Sequence, residues 1–547
     1  MITTPVLIVG GGPVGLALSV MLSKLGVRSM LVNERLQTTT HPKLDVVNGR
    51  SMEVLRQFGL ADAVRAAGNP RQANQHVAVA ASASGPFYTV LSDRHPIYRS
   101  ADDANALARD CQDGSLPLET MQRIAQMQLE PVLLEAARAE PEARVEFGWS
   151  LFGFEQDEAG VTAMIQGPEG RSRQVRCLYL IGCDGPSSRV RQFLNFDYED
   201  TRDLVGELFI AHFRSEALAA TFLKHEPYWH TWLLRPQFSG LVVSPDASRS
   251  DFVLHRPFAP RDGETVQNVI AAAIGRDIPF ELVQSGAWRP QFLVANSYGR
   301  GRVFIAGDAA HQYMPTGGLG MNTGLLEAHN LAWKLAACVS GWGGPRLMSS
   351  YEAERLPAAR RNRDHVKENA ASVFESLFDI PDQLLDPGPA GGQARTVVAG
   401  TFVAKVTRLY ESMGIELGYR YEDSPLIVGA GAGGAPCDPA SYQPVAVPGA
   451  RLPNGWRSDG QSLLDQLDRR GLTLVCLGAR ADQTTAFIDA AKDKGVPMTL
   501  LEVPEAHLAS LYGWRWLLLR PDQHIAWAGD ELPSEPAPLI DRVRGAT

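Results

Sequence analysis

Three glycines near the amino terminus have the spacing of a dinucleotide-binding turn. Gly10, Gly12 and Gly15 follow the apolar run PVLIVG and precede a stretch with helical periodicity. In such a turn the first glycine permits the tight bend, the second lets the backbone approach a pyrophosphate, and the third packs helix on strand. Glu34 follows 19 residues after the last glycine, where a carboxylate can bind the hydroxyls of an adenosine ribose. We predict that this turn binds FAD or NAD, the alternative being a structural turn with a surface Glu. An acid at this position disfavours NADP here, and the further contacts predicted are Pro13, Val14 and Arg35.

A second glycine-rich loop identifies the dinucleotide. Asp308 ends the apolar run GRVFIAGD, and PTGGLGMN (315–322) leads into a predicted helix over 322–338. Such a loop exposes backbone N–H groups and a partial positive charge at the start of the helix. That charge suits the N1–C2=O region of a reduced flavin, and Asp308 can hydrogen-bond a ribityl hydroxyl. We therefore predict bound FAD, contacted here by Asp308, Pro315, Gly318, Gly320, Met321 and Asn322.

Three motifs, taken together and in their order along the chain, resemble those of the class A flavoprotein aromatic hydroxylases. The motifs are the turn at 10–15, CDGPSSRVR at 183–191 and GDAAHQYMPTGGLGMNTGLLEAHNLAWKLA at 307–336. The likeness extends over nearly the whole chain and is greatest to the phenol-hydroxylase-like subgroup, which includes pentachlorophenol, 2,4-dichlorophenol and polyketide ring hydroxylases. One departure is Glu327, where Asp is usual. The resemblance implies that NADH or NADPH binds transiently, without a second Rossmann domain, and that O₂ gives a C4a-hydroperoxyflavin. That species would hydroxylate a small phenol-like ring, with displacement of a ring substituent as a further option.

The resemblance also assigns site residues. Asp184 would contact FAD and NAD(P)H, with Ser188 and Arg191 at family positions, while Gln126 and Arg50 would reach FAD.

Asp45 is the predicted catalytic base. It lies five residues before Arg50, and phenol hydroxylases similarly carry a catalytic Asp at this spacing. Deprotonating a phenol makes its ring carbon more nucleophilic, so a base is expected near the hydroxyl. We expect partial burial to raise the pKa of Asp45. The alternative is a loop-capping or exposed Asp, since other family members place no Asp there.

Aromatic residues alternate in HEPYWHTWLL (225–234) and are candidates for the ring pocket. Tyr228, His230 and Trp232 are the predicted lining residues, together with Trp229. The alternative is simple core packing, which aromatics alternating along a strand commonly serve. His311, near the predicted flavin, is interpreted as a structural neighbour.

The predicted fold class is α/β, with a Rossmann-like FAD-binding domain, an interleaved α+β substrate domain and a C-terminal thioredoxin-like domain. Strand 5–10, helix 13–24 and strand 27–33 give a β–α–β opening, typical of a doubly wound sheet. Two later strands, 177–185 and 301–308, are separated by segments that alternate like an antiparallel sheet. The predicted ranges are 1–80, 112–190 and 296–400 for FAD, 81–111 and 191–295 for substrate, 401–429 as a connection and 430–547 as the last domain.

Glycine- and proline-rich stretches separate these units. Residues 378–400 are predicted to form a surface connection, and 429–449 a flexible linker or ordered loop. Beyond them a strand, helix, strand and hairpin resemble the thioredoxin-like domain of the subgroup. It has no C-x-x-C, only the lone Cys476, so we expect a structural role or a contact in a homodimer.

Composition narrows the function classes. The formal net charge of −9 argues against a nucleic-acid partner. Six scattered cysteines suggest neither a metal site nor disulfides and favour a reducing cytoplasm. No signal peptide is evident, and no apolar run approaches the ~18 residues that a membrane span needs.

Other functions are compatible with the same fold. The chain lacks W-x-W-x-I-P and F-x-G-x-x-x-H-x-x-x-W, which disfavours flavin halogenases and Baeyer–Villiger enzymes. An epoxidase, or a redox-silent flavoprotein that sequesters a small aromatic ligand, remains an alternative.

Overall fold

The computed structural model describes residues 1–43, 45–92, 95–199, 206–224, 228–246, 250–261, 263–378, 380–429, 438–478 and 481–547. Residues 204–205 of the segments predicted to alternate like an antiparallel sheet, 225–227 of the predicted aromatic segment and 430–437 of the predicted linker lie outside this set. The strands are β1 (Ile2–Val9), β2 (Ser29–Asn33), β3 (Val46–Val47), β4 (Val77–Ala80), β5 (Phe87–Leu91), β6 (Gln122–Arg123), β7 (Ala143–Phe147), β8 (Ser150–Asp157), β9 (Gly160–Gln166), β10 (Ser172–Gly182), β11 (Tyr198–Glu199), β12 (Leu208–Arg214), β13 (His230–Arg235), β14 (Phe238–Val243), β15 (Asp251–Arg256), β16 (Glu281–Trp288), β17 (Leu293–Ala295), β18 (Gly299–Arg300), β19 (Val303–Ile305), β20 (His311–Gln312), β21 (Leu472–Leu477), β22 (Met498–Val503), β23 (Trp516–Leu519) and β24 (Ile525–Gly529).

The helices alternate with these strands in the first and last parts of the chain. They are α1 (Pro13–Lys24), α2 (Gly49–Gln57), α3 (Ala61–Ala67), α4 (Ala101–Asp110), α5 (Gln126–Ala139), α6 (Arg189–Phe193), α7 (Glu216–Lys224), α8 (Val266–Ile274), α9 (Leu319–Val339), α10 (Ser350–Phe378), α11 (Pro389–Val406), α12 (Met413–Leu417), α13 (Thr485–Asp493), α14 (Ala506–Tyr512) and α15 (Pro536–Val543).

The nucleotide-binding sheet has the predicted doubly wound character. Its order is β18-β19-β10-β1-β2-β7, and the pairs from β19 to β7 are parallel. Val6, Leu7 and Ile8 of β1 are fully buried, as expected for a strand covered on both faces. The glycine turn therefore lies at the carboxyl end of a central strand, where ligands bind in such sheets.

The substrate domain is a seven-stranded sheet of order β16-β12-β15-β14-β13-β4-β5, antiparallel except for the β13–β4 pair. One face packs on α8 through Val269, Ile270 and Ala273. The opposite face looks toward the nucleotide-binding domain.

The last domain has the topology of a thioredoxin fold. Its sheet order is β22-β21-β23-β24, with β21 parallel to β22 and antiparallel to β23. Helices α13 and α14 connect the first three of these strands in chain order, and α15 follows the β23–β24 hairpin.

Two predicted boundaries are wrong. The surface connection over 378–400 is largely α11, where Pro389 occupies the first turn and Ala399, Phe402 and Val406 are buried on one face. A Pro at this position is favourable because its missing N–H has no helical partner there. The substrate domain also begins at or before Val77, since β4 pairs with β13.

Among the described residues, no helix combines the length and apolarity that crossing a bilayer requires. The same residues contain no group of three or more His, Cys, Asp or Glu side chains placed to hold a metal ion.

Candidate active site

A large cavity lies between the nucleotide-binding sheet and the open face of the substrate sheet. Its volume is about 1190 Å³, above the ~300–1,000 Å³ of a pocket for one drug-sized ligand. It is lined at one end by the turn after β1 and at the other by the substrate sheet, with the loop before α9 also on its wall. A cavity of this size and position can hold a dinucleotide and a second molecule.

The first glycine turn has the close packing that its motif requires. Gly10 has φ +115°, and a Cβ there would lie 2.1 Å from the carbonyl oxygen of Cys183. Gly15 is packed as tightly, since its Cβ would lie 2.1 Å from the carbonyl oxygen of Gly10; it holds α1 against the strand and does not line the cavity. A Cβ at Gly12 would meet no described atom within 4 Å, so the turn is open toward the cavity. The remaining predicted contacts of this half all line the cavity, namely Pro13, Val14, Glu34 and Arg35.

The second glycine loop ends at the start of α9. Gly318, at φ +63°, precedes the first helical residue, and no described side chain caps the helix there. Asn322 faces away from the cavity and fixes the loop, because its amide donates to the Gly318 carbonyl at 2.6 Å and its oxygen accepts from the Asn48 N–H at 3.0 Å. The other predicted contacts of this loop line the cavity: Asp308, Pro315, Gly318, Gly320 and Met321.

These two loops fit FAD. Helices α1 and α9 both begin at the cavity with a glycine and without a described side-chain cap. Their free N–H groups and dipoles favour negative charge. The diphosphate and the anionic pyrimidine edge of a reduced flavin are two such charges on one molecule.

Asp184 and Gln126 line the cavity, and each forms hydrogen bonds to neighbouring residues. The Asp184 carboxylate accepts from the Ser188 hydroxyl at 2.5 Å and from the Arg189 N–H at 2.8 Å, so it caps α6. Burial raises the pKa of Asp184 above its usual value. The Gln126 amide donates to Glu130 at 2.6 Å.

Two further predicted contacts are not in the cavity. Arg50 is fully buried and donates to Glu53 at 3.0 Å and to Gln523 at 2.5 Å, so its guanidinium joins the C-terminal domain. Tyr228 packs against Phe87, with ring centroids 4.9 Å apart. His311 is buried 3.2 Å from the Glu327 carboxylate, in agreement with a structural role.

Asp45, His230 and Tyr410 form a hydrogen-bonded chain on the cavity wall. Asp45 Oδ2 accepts from Trp229 Nε1 at 2.6 Å and lies 3.2 Å from His230 Nε2. His230 Nδ1 lies 2.6 Å from the Tyr410 hydroxyl, and Trp232 Nε1 donates to that hydroxyl at 3.0 Å. All five residues line the cavity. The predicted aromatic lining is therefore present at His230 and Trp232.

The pKa of Asp45 is lowered, opposite to the expected direction. Burial alone would raise it, but hydrogen bonds from His230 and Trp229 and the charge of Arg123 outweigh burial. Burial lowers the pKa of His230, with Asp45 opposing the shift and Arg123 adding to it. At neutral pH the pair is therefore a carboxylate beside a neutral imidazole. The hydrogen bonds fit a His230 that donates from Nε2 to Asp45 and accepts at Nδ1 from Tyr410.

Tyr410 is a site residue that the sequence did not reveal. It follows α11 in the segment interpreted as a connection and is 4% exposed. Burial raises its pKa well above that of a free tyrosine, so its hydroxyl stays protonated. A single aromatic residue after an unrecognised helix gives no local signal of such a role.

Comparison with known proteins agrees with this geometry. Residues 3–366 match the model of the FAD binding domain family, and 445–546 that of the aromatic-ring hydroxylase C-terminal family. A putative polyketide hydroxylase of Streptomyces halstedii is 32% identical over 97% of this chain and 94% of its own. The 2,4-dichlorophenol 6-monooxygenase of Cupriavidus pinatubonensis is 28% identical over 98% and 95%.

Solved structures extend the comparison to the whole fold. RebC-10x, described as native and K252c-bound, has a TM-score of 0.89 and 32% identity, with both chains fully covered. Aklavinone-11 hydroxylase, in a ternary complex with FAD and aklavinone, has a TM-score of 0.80 and 27% identity over 99% of each chain. The chain therefore belongs to the FAD-dependent aromatic-ring hydroxylases, and it is a flavin-dependent aromatic monooxygenase that uses NAD(P)H and O₂.

Proposed function

We propose that this monooxygenase hydroxylates a phenol-type ring whose hydroxyl lies beside Asp45, His230 and Tyr410. The observation that supports this is the hydrogen-bonded chain from Asp45 to Tyr410, on the wall of the same cavity as the two glycine loops. The named activities of two relatives, 2,4-dichlorophenol 6-monooxygenase and phenol 2-monooxygenase, support a phenolic substrate.

The residues proposed to hold FAD follow from the two loops. The turn from Gly10 to Val14 binds the diphosphate, Glu34 the ribose hydroxyls, and Asp308 a ribityl hydroxyl. The loop from Pro315 to Met321 binds the flavin edge, where the start of α9 stabilises negative charge. When bound, FAD takes a hydride from NADH or NADPH and activates O₂.

The protein's own step is removal of the phenolic proton. The substrate O–H donates to the Tyr410 oxygen as the Tyr410 proton passes to His230 Nδ1. The resulting imidazolium is stabilised by the Asp45 carboxylate, which accepts from its Nε2–H. This is the same division of roles as in a hydroxyl–His–Asp relay. Asp45 thus supplies the negative charge of the base, and His230 receives the proton.

The rest of the pocket orients the ring and excludes water. Trp229 and Trp232 are each about 5% exposed, and each donates its indole N–H to the proton-accepting cluster. A dry pocket also strengthens each hydrogen bond in it.

Stimulated cofactor oxidation tests the proposal. The purified holoenzyme is mixed with NADH or NADPH and with phenol, 2,4-dichlorophenol, 4-nitrophenol or a polycyclic phenol. We expect at least one phenol to increase NAD(P)H oxidation and to yield a product with one added oxygen, or with a ring substituent replaced by oxygen. Tight binding of phenols without stimulation would instead indicate a flavoprotein that only sequesters them.

We also propose a cytoplasmic homodimer. The five cysteines in the described part of the chain are all free thiols, which suits a reducing compartment. Sedimentation equilibrium of the holoenzyme tests the dimer.

A further inference from the structure

The cavity side of the substrate sheet has one histidine at each end of a row that crosses four strands. His230 on β13 is opposite Val243, Val243 is opposite Val253, and Val253 is opposite His212 on β12. All four residues line the cavity. Directly paired residues lie on the same face of a sheet, so both imidazoles and the two valines form one polar–apolar–apolar–polar row.

The length of this row follows from strand spacing. Neighbouring strands lie about 4.8 Å apart, so three intervals separate the His230 and His212 backbones by about 14 Å. The next row on the same face is mostly apolar as well and comprises Trp232, Leu241, His255 and Ile210. A single benzene ring is too short to reach from one histidine to the other, whereas a planar system of several rings is long enough.

His212 is held as a hydrogen-bond acceptor. Its Nε2 lies 2.6 Å from Asp251 Oδ1, and the same carboxylate oxygen accepts from Arg214 at 3.1 Å. The hydrogen bond from His212 lowers the pKa of Asp251, so this carboxylate is charged. A carboxylate accepts only, so Nε2 of His212 carries a proton, and in the tautomer with this single ring proton Nδ1 has a free lone pair.

That lone pair accepts no hydrogen bond from any described residue. His212 is 7% exposed, and its Nδ1 is buried without a hydrogen-bond partner among the described residues. Leaving a buried acceptor unpaired is costly, about as much as one to three ordinary hydrogen bonds contribute. Leu208 and Ile210, the neighbouring cavity-facing residues of β12, are apolar. Along β12 the free acceptor is therefore flanked by apolar residues, and Gln284 of β16, which is paired with His212, is a second polar residue at this end of the cavity.

We propose that His212 is a specificity-determining residue that accepts a hydrogen bond from a second hydroxyl of the substrate, at the end of a multi-ring system remote from the reacting phenol. Asp251 acts as a positioning residue, because it fixes the tautomer and the orientation of His212. This inference rests on the proposed function, since it places the reacting hydroxyl beside Asp45, His230 and Tyr410.

A matched pair of rigid probes tests the inference. 2,6-Dihydroxyanthraquinone has a hydroxyl at each end, whereas 2-hydroxyanthraquinone lacks the distal one. Dissociation constants are measured from the change in flavin absorbance of the FAD-bound parent. We expect the dihydroxy probe to bind about 10-fold more tightly, the effect of one well-placed hydrogen bond. If the parent binds the two probes with equal affinity, the proposal is overturned without any variant.

Variants of His212 and Asp251 test whether these residues cause the preference for the dihydroxy probe. In His212→Phe, which keeps the ring volume, the preference for the dihydroxy probe should vanish while the affinity for 2-hydroxyanthraquinone stays within about twofold of the parent value. Asp251→Leu should lose most of the preference, and Asp251→Asn, which keeps an acceptor, should restore part of it. The matched control is Ile210→Val on the same face of β12, which should change both affinities alike. A preference that persists in FAD-replete His212→Phe would contradict the assignment.

The outcome is distinguishable from failure of the proposed function. If neither probe nor any phenol stimulates NAD(P)H oxidation, the proposed function fails, whatever the affinities are. If phenols stimulate oxidation but the parent shows no probe preference, only the His212 inference fails.

Discussion

At the residue scale, burial and hydrogen bonding keep Asp45 charged and the adjacent His230 neutral. The Asp45 carboxylate stays charged because three donor or positive groups surround it. Burial keeps His230 neutral although a carboxylate is its neighbour. A neutral imidazole that touches a tyrosine hydroxyl is a base ready to accept a proton.

A pH profile follows from these shifts. The pKa of His230 lies below its ordinary 6.5, so His230 is free to accept a proton above that pKa and is occupied below it. We expect the product yield with a weakly acidic phenol to be flat from about pH 8 to pH 6.5 and to fall at lower pH. The yield is measured as hydroxylated product per NAD(P)H consumed. A yield that rises steadily as the pH is lowered from 7 to 5 would contradict a His230 base.

The two carboxylates proposed to bind FAD, Glu34 at the adenosine ribose and Asp308 at the ribityl chain, give a second prediction. Glu34→Ala and Asp308→Ala should each weaken FAD retention, by about 10- to 100-fold in the dissociation constant, the effect of one charged hydrogen bond. FAD loss is measured by fluorescence after dilution. Asp62→Ala, in the first turn of α3 and outside the cavity lining, is the matched control. Unchanged retention in both variants would place the cofactor elsewhere.

Sequence reasoning located some of these residues and not others, for physical reasons. Asp45 and the glycine loops lie in short contiguous motifs, so their neighbours in the chain are also their neighbours in space. Tyr410 and His212 become site residues only through strand pairing and helix packing over long separations. The motif that contains Arg50 predicts a contact with FAD, but its guanidinium donates to Glu53 and to the C-terminal domain.

At the element scale, a buried ion network joins α9 and α10 to the loop between β23 and β24. Glu354 of α10 accepts from Lys334 of α9 at 2.7 Å and from Arg520 at 2.5 Å, and Arg520 also binds Asp522. All are essentially inaccessible. Because α9 starts at the flavin loop, this network fixes the helix that presents that loop.

Breaking the network should be costly. Arg520→Met leaves Glu354 and Asp522 buried with too few positive partners, which typically costs about 3–5 kcal/mol. Arg408→Met removes an exposed contact with Glu368, and such a pair contributes about 0–1 kcal/mol. The free energy of unfolding is measured by urea titration of the holoenzyme. Equal losses in the two variants would show that the buried network has no special role.

The same ion network predicts that the folded protein loses stability at low pH. Burial would raise the pKa of Glu354, but the charges of Arg520 and Lys334 lower it from 4.5 to about 2. Its stabilising contribution is therefore complete above about pH 4.5 and is lost as the pH falls toward 2.

Regular elements were predictable where periodicity was strong. The strands of the nucleotide-binding and thioredoxin-like sheets lie within a few residues of their predicted positions, because buried strands read as apolar runs. The sequence does not indicate helix α11, since Pro389 and two glycines lie in its first turn, while its buried residues lie about one or two helical turns apart. Here tertiary packing stabilises a helix that local propensity disfavours.

At the scale of the whole molecule, the C-terminal domain is part of the enzyme's buried structure. Arg451 of this domain forms a fully buried ion pair with Glu53 of α2, and Arg520 completes the network at Glu354. A domain attached this way differs from one held by a flexible tether, because its removal leaves charges buried without partners.

Deletion of residues 445–547 tests this dependence. We expect the truncated chain to lose most soluble yield and FAD binding, since Arg50, Glu53 and Glu354 lose partners together. FAD content per soluble chain is the measurement. A truncated protein that is soluble and binds FAD as tightly as the full chain would show that the domain is peripheral.

The most direct test of the account compares the Asp45→Asn holoenzyme with the parent at pH 7. Two phenols are used, one weakly acidic and one nitro-substituted and already ionised, and product per NAD(P)H consumed is measured together with H₂O₂. With the weakly acidic phenol, we expect Asp45→Asn to retain FAD and substrate binding but to lose about 10²–10⁴-fold in hydroxylation, with reducing equivalents released as H₂O₂. With the ionised phenol the two proteins should give similar yields, because no proton has to be removed. An unchanged product yield with the weakly acidic phenol would contradict the central claim.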